Sequence, residues 1–118
     1  MKMKRLGKCL SMLTLIVAFG YSNIATSAEV IHLSTIKMLY PLADGSFVLI
    51  FNADSPSCPN AITPKYYYVS VGNNGVTLEG SKKMYAAAAL AMAMNKQVNI
   101  AFDNATSSCF INRLTVIN

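Results

Sequence analysis

Lys82-Lys83-Met84-Tyr85-Ala86-Ala87-Ala88-Ala89-Leu90-Ala91-Met92-Ala93-Met94-Asn95-Lys96 is the stretch that decides the fold. Alanine, leucine and methionine are among the strongest helix formers, while β-branched residues, which dominate the neighbouring segments, are missing from it. Ser81 can cap its start and Asn95-Lys96 suits its end, so the spacing predicts a helix of about 14 residues.

Working outward from the helix, three strands are expected before it and two after it. Val30 to Tyr40 reads as a long strand whose alternation slips, with Ile31 and Leu33 on one parity and Ile36, Met38 and Tyr40 on the other. A bulge or bend near Ser34-Thr35 reconciles them. Asp44-Gly45 marks a turn into Ser46 to Asn52, where Phe47-Val48-Leu49-Ile50-Phe51 is apolar on both faces. A polar loop containing Cys58 and three prolines leads to a third strand, Lys65 to Val71, closed by Asn73-Asn74-Gly75. After the helix, Gln97 to Asp103 places Val98, Ile100 and Phe102 on one face, and Cys109 to Ile117 does the same with Phe110, Leu114 and Val116. Asn104 to Ser108 is the polar loop between them.

The chain is therefore mostly β with one helix, in the order β-β-β-α-β-β. That is the order of the OB fold, a small five-stranded Greek-key barrel with its helix between strands three and four. The same order permits an open α+β antiparallel sheet with one packed helix. The cysteines favour the barrel: the third and fifth strands would run side by side in parallel, bringing Cys58 and Cys109 to the same end.

The first 28 residues carry a different signal. Lys2, Lys4, Arg5 and Lys8 form a basic head, and an apolar run from Leu10 to Gly20 follows. Thr26 and Ala28 then occupy the small-residue positions that a signal peptidase requires. The run is far shorter than the roughly 20 residues that span a bilayer, so residues 1–28 are read as a cleaved secretory leader and 29–118 as one domain, with no membrane span after cleavage. The compact basic head is of bacterial type, and the sequon Asn104-Ala105-Thr106 is read as coincidence.

Cleavage leaves two cysteines, Cys58 and Cys109, in a compartment where disulfides persist, and so one possible pairing. It also leaves six cations (Lys37, Lys65, Lys82, Lys83, Lys96, Arg113) against five carboxylates. A net charge of about +1 removes the argument for a nucleic-acid partner.

Catalytic patterns are wanting. The domain's one histidine, His32, lies in a strand without the framing of a nucleophile motif, and Asp54 and Asp103 lack the spacing of a calcium loop. The expectation is a protein that is not an enzyme and holds no cofactor or metal.

Two features exceed what a plain core requires. From Met84 to Met94 the helix bears no charge on any face, so Met84, Leu90, Met92 and Met94 suggest a contact surface for a second copy or another envelope or secreted protein. Alanine tolerates exposure, which leaves the alternative of an ordinary surface open. The outer face of the second strand also seeks cover, which favours a homo-oligomer. The second feature is Tyr66-Tyr67-Tyr68. Alternation turns Tyr67 inward with Val69 and Val71, and sets Tyr66 and Tyr68 together outside. Tyrosine is a good strand residue in any case, but an exposed pair beside hydroxyls and amides suits a sugar ring. OB folds bind oligosaccharides on this surface between the first-second and fourth-fifth loops, which here bring Asp44, Ser46, Asn104, Thr106, Ser107 and Ser108. A glycan held by Tyr66, Tyr68, Asn104 and Ser107 is the expected partner.

The architecture, with Met84-Tyr85-Ala86-Ala87-Ala88-Ala89-Leu90 as the helix, Lys96-Gln97-Val98-Asn99-Ile100 as its end and the next strand, and Cys109 returning, resembles small exported bacterial OB-like domains. Among them are the pentamer-forming, glycan-binding B subunits of AB-type toxins. The resemblance implies a non-enzymatic binding module. Pentamer helices of such toxins usually carry charges toward a central pore, where this helix carries alanine and methionine. No diagnostic binding position matches, so no residue role is carried over.

Overall fold

A computed structural model describes residues 28–118. The leader expected over residues 1–28 lies outside the described residues, Ala28 apart. Five strands and one helix follow in the predicted order: β1 (Glu29–Pro41), β2 (Phe47–Phe51), β3 (Tyr67–Val69), α1 (Leu78–Ala93), β4 (Gln97–Asp103) and β5 (Ile111–Ile117). They form one antiparallel sheet in the order β3-β2-β1-β4-β5, a Greek-key arrangement. Among the described residues, no helix is long and apolar enough to cross a membrane.

The long β1 serves both halves of the sheet. Glu29 to Thr35 pairs with β4, and Ile36 to Pro41 pairs with β2. The irregularity that divides them is at Lys37, between Ile36 and Met38, slightly later than Ser34-Thr35. The pairing also decides which parity faces inward. Val30, His32 and Ser34 lie opposite Phe102, Ile100 and Val98, so the bulky residues of β4 claim the core and Ile31 and Leu33 are left outside, 54% and 50% exposed.

β3 is shorter than Lys65 to Val71 because its flanking amides bond elsewhere. The Lys65 N–H donates to both Asp54 carboxylate oxygens at 3.2 Å, and the Val71 N–H to Ser46 Oγ at 2.9 Å. β5 begins at Ile111, since Cys109 sits at φ 46°, outside strand geometry. A register shift opposite Ala101/Phe102 then makes Ile111, not Phe110, the inward partner of Leu114 and Val116.

The helix starts earlier than expected. Thr77, in extended conformation, caps it by accepting from the Gly80 N–H at 3.0 Å, with Glu79 in the first turn. Ser81 is thus inside the helix, fully buried, and its hydroxyl donates to the Gly45 carbonyl at 2.6 Å. The end matches: Asn95 adopts φ 54°, and Lys96 N–H closes onto Ala91 O at 2.8 Å.

The core lies between α1 and the concave face of the sheet. Tyr67, Phe47, Phe51, Phe102, Leu49 and Ile100 are its largest fully buried side chains. Tyr67 is at the centre, edge-on to Phe51 at 4.9 Å and to Phe102 at 5.5 Å between ring centroids. α1 docks through Ala88 and Ala91, small enough to bring its backbone close.

β3 and β5 run parallel, as expected, but do not form a ladder. One backbone hydrogen bond joins this side, Tyr68 N–H to Ser108 O at 3.3 Å, together with the Cys58–Cys109 disulfide, whose Cα atoms are 5.8 Å apart. The hydrogen bonding is that of the open-sheet alternative, on the strand order of the barrel.

Candidate functional site

The sheet's open side carries a broad groove. Three segments line this groove of about 530 Å³: residues 59–62 of the β2–β3 loop, Tyr66 and Tyr68, and Ser107 and Ser108 of the β4–β5 loop. This size falls within the roughly 300–1,000 Å³ of small-ligand sites. The alternation along β3 explains the tyrosines: Tyr67 and Val69 are fully buried, and Tyr66 and Tyr68 point the other way, half-buried.

Local hydrogen bonds hold the β2–β3 loop in place. Asn52 N–H donates to Thr35 O at 3.0 Å and its side chain to Thr35 Oγ1 at 2.6 Å. Ser55 N–H donates to the buried Tyr67 hydroxyl at 2.8 Å. Asn60 ties the two rims together, its Nδ2 donating to Ser107 O at 3.1 Å and its Oδ1 accepting from Ile62 N–H at 2.8 Å. Lys65 Nζ donates to the Asn60 carbonyl. The disulfide joins the same two loops, from Cys58 beside Pro59 to Cys109 beside Ser108. A groove fixed this way spends little entropy on ordering when it binds.

Asn60's amide is committed to the protein, so the groove offers a ligand the hydroxyls of Tyr66, Tyr68, Ser107 and Ser108, and the apolar surface of Ile62, which is 56% exposed. Tyr40 stands behind the pair, its ring perpendicular to that of Tyr66 at 6.3 Å. Burial, then the neighbouring Tyr66 and Tyr68, hold its hydroxyl above the ordinary tyrosine range. Tyr67 is likewise raised, chiefly by burial.

Of the residues singled out in the sequence, Tyr66, Tyr68, Ser107 and Ser108 come together, and Asn104 and Thr106 do not line the groove. The first-second loop is elsewhere too. Ser46, Gly45 and Leu42 line a separate cavity of about 210 Å³ against Lys82 and Tyr85 of α1, and Asp44 is occupied by its own turn, accepting from Ser46 N–H at 3.0 Å. Residues 59–62 and Tyr40 escaped the sequence argument. The first lie on an aperiodic loop; the second shares its parity with the buried Ile36, and only the irregularity at Lys37 turns Met38 and Tyr40 to the opposite face.

The other expected surface divides. Leu90, Met92 and Met94 are 57%, 40% and 56% exposed, whereas Met84 packs against the core. The outer face of β2 needs no partner: Val48 and Ile50 are 1% and 2% exposed, and Val48 lies between Tyr40 and Tyr68 in the sheet register. A covered β2 face gives no reason for self-association. His32 is engaged, with Nε2 2.7 Å from Ala53 O and its ring edge-on to Phe51 at 5.5 Å. Among the described residues, no group of three or more His, Cys, Asp or Glu side chains comes together to hold a metal.

No protein-family model matches the chain, and no curated protein matches its sequence. Solved structures do match in fold. Human heat-labile enterotoxin in complex with a blood group A antigen analogue superposes with a TM-score of 0.55 at 9% identity, over 76% of this chain and 86% of that one. The porcine E. coli heat-labile enterotoxin B-pentamer in complex with lacto-N-neohexaose gives a TM-score of 0.55 at 10% identity, with the same coverage. At this identity the likeness is one of fold, and it agrees with the architecture inferred from the order of elements.

Proposed function

We propose that the chain is a secreted or periplasmic binding module, without catalytic activity, that holds carbohydrate in the groove between the Tyr66/Tyr68 pair and the Ser107/Ser108 rim. The observation that carries this reading is an aromatic pair set beside serine hydroxyls in a groove whose rims are tied together by hydrogen bonds and the disulfide. A sugar ring has an apolar face to stack and equatorial hydroxyls to bond, and the groove supplies both partners. The enterotoxin structures of the same fold hold a blood group A antigen analogue and lacto-N-neohexaose, which supports the ligand class. The leader pattern and the Cys58–Cys109 bridge support export to an oxidising compartment.

A glycan array probed with wild type and with Tyr66→Ala/Tyr68→Ala tests it. Loss of two stacking contacts of about 0.5–1.5 kcal/mol each weakens binding by roughly five-fold or more. An array blank for wild type refutes the reading. A second reading is favoured by the exposure of Leu90, Met92 and Met94: an interaction protein of the cell envelope, or a homo-oligomer, docked through α1. Light scattering separates the two, since a strictly monomeric protein at high concentration removes self-association through the helix.

A further inference from the structure

We infer that the groove selects uncharged oligosaccharides and rejects acidic ones, an inference that rests on the carbohydrate reading and sharpens it. None of the side chains that line the groove belongs to Lys, Arg, His, Asp or Glu. The charged side chains nearest to it in the chain do not line it and are bonded to the protein's own groups. Lys65 Nζ is turned onto the Asn60 carbonyl, and the Asp54 carboxylate accepts the Lys65 N–H. Asp103, at the base of the β4–β5 loop, accepts from Ala105 N–H at 2.7 Å. The exposed Arg113 is paired with Glu29 at 3.0 Å, on the β1–β4–β5 half of the sheet.

Hydroxyls both donate and accept, so Tyr66, Tyr68, Ser107 and Ser108 can match the hydroxyls of a neutral sugar whichever way each one points. A carboxylate is different. It accepts only, and giving up its water requires a cation or several convergent N–H donors. The groove presents hydroxyls and aromatic faces, and the negative π-faces of Tyr66 and Tyr68 repel an anion laid over them. Selection therefore acts against a carboxylate on a ring that is stacked in the groove. Spacing adds a length requirement: Tyr66 and Tyr68 are two residues apart on one strand face, roughly 6.5–7 Å, which sets two successive rings on two platforms.

The test uses protein expressed from the full chain with its disulfide intact, titrated calorimetrically with matched probes. For each neutral oligosaccharide found on the array, the partners are the same molecule oxidised at C6 to the uronate and the same molecule sialylated on its stacked terminus. The expected result is neutral binding that is at least ten-fold tighter than either acidic form and insensitive to salt. Ser107→Lys, and independently Ser108→Lys, place an ammonium at the rim. Each is expected to shrink the neutral-to-uronate ratio, with the remaining uronate affinity now falling as salt rises. Equal or tighter binding of the acidic forms by wild type overturns the selectivity and leaves the carbohydrate reading standing. Ratios unmoved in both lysine variants also overturn it, because the discrimination would then arise elsewhere. Absence of binding to every probe, neutral and acidic, removes the carbohydrate reading and this inference with it.

Discussion

Replacing Cys58 and Cys109 together by alanine removes the one covalent tie across the side of the sheet where β3 and β5 fail to form a ladder. The bridge spans 51 residues, and for a closed loop of that length the chain-entropy relation gives about 4 kcal/mol of stabilisation. Both sulfurs are essentially inaccessible, so each truncation also loses packing of the order of 1 kcal/mol. The total, about 5–6 kcal/mol, is comparable to the whole stability of a marginal domain. Urea denaturation of the oxidised protein, the reduced protein and the double variant separates the contributions. The reduced protein reports the loss of the cross-link, and the variant adds the packing. The urea dependence should steepen in both, because an unfolded chain without the bridge exposes more surface. Amide exchange supplies the local readout: Tyr68 N–H, bonded to Ser108 O, should exchange faster by a larger factor than the amides of β1 and β4. A loss below about 1 kcal/mol on reduction, with an unchanged urea slope, would show that the bridge does not constrain the unfolded chain and would refute the reasoning.

Four further outcomes follow from the same geometry. Tyr67→Phe leaves the buried Ser55 N–H without its acceptor and should cost about 1–3 kcal/mol in thermal or chemical unfolding; a neutral substitution would mean that this bond contributes nothing. Because burial raises Tyr67 above the 10.0 of an unfolded tyrosine, its contribution to stability is complete below that pH and is lost as pH climbs through the folded value, so stability should decline above pH 10, and less steeply in Tyr67→Phe. Ser81→Ala deletes the donor to the Gly45 carbonyl and should destabilise by about 1 kcal/mol, whereas Arg113→Ala, which breaks a pair exposed on both sides, should leave the denaturation midpoint where it was.

How far the sequence carried the fold can be judged strand by strand. β4 was legible as to its inward face, because Val98, Ile100 and Phe102 alternate with Gln97, Asn99, Ala101 and Asp103; the burial of Ala101 on the other parity was not. β1 was legible as a strand but not as to its faces. Ile31 and Leu33 are as apolar as Val30, and only pairing with Phe102, Ile100 and Val98 determines which set turns inward. The ends of β3 and β5 were hidden for another reason. Their boundaries are set by side chains distant in sequence, Asp54 and Ser46, that take the amides at the ends of β3, and by the left-handed backbone at Cys109. Likewise Thr77 took the capping role from Ser81, which has a tertiary partner in Gly45 that local propensity does not register.

The groove divides along the same physical line. Tyr66 and Tyr68 could be placed outside and Tyr67 inside from parity alone, since any strand through these residues must do so. Ser107 could be placed near them once Cys58 and Cys109 were paired, because the bridge draws the β4–β5 loop to the start of β3. Asn104, three residues earlier, follows the end of β4 and stays outside the groove, a distinction that loop membership cannot make. The opposite rim was illegible for want of any period: Asn60 becomes structural only when it meets Ser107, 47 positions away. That meeting also explains the neutrality of the groove. Asn60 and Lys65 turn their polar groups onto backbone carbonyls, and what remains to face a ligand is hydroxyl and ring. The polarity of the site is thus a product of how the loop satisfies itself, and a composition count that includes Lys65 and Asp54 would have assigned the groove charges that it does not present.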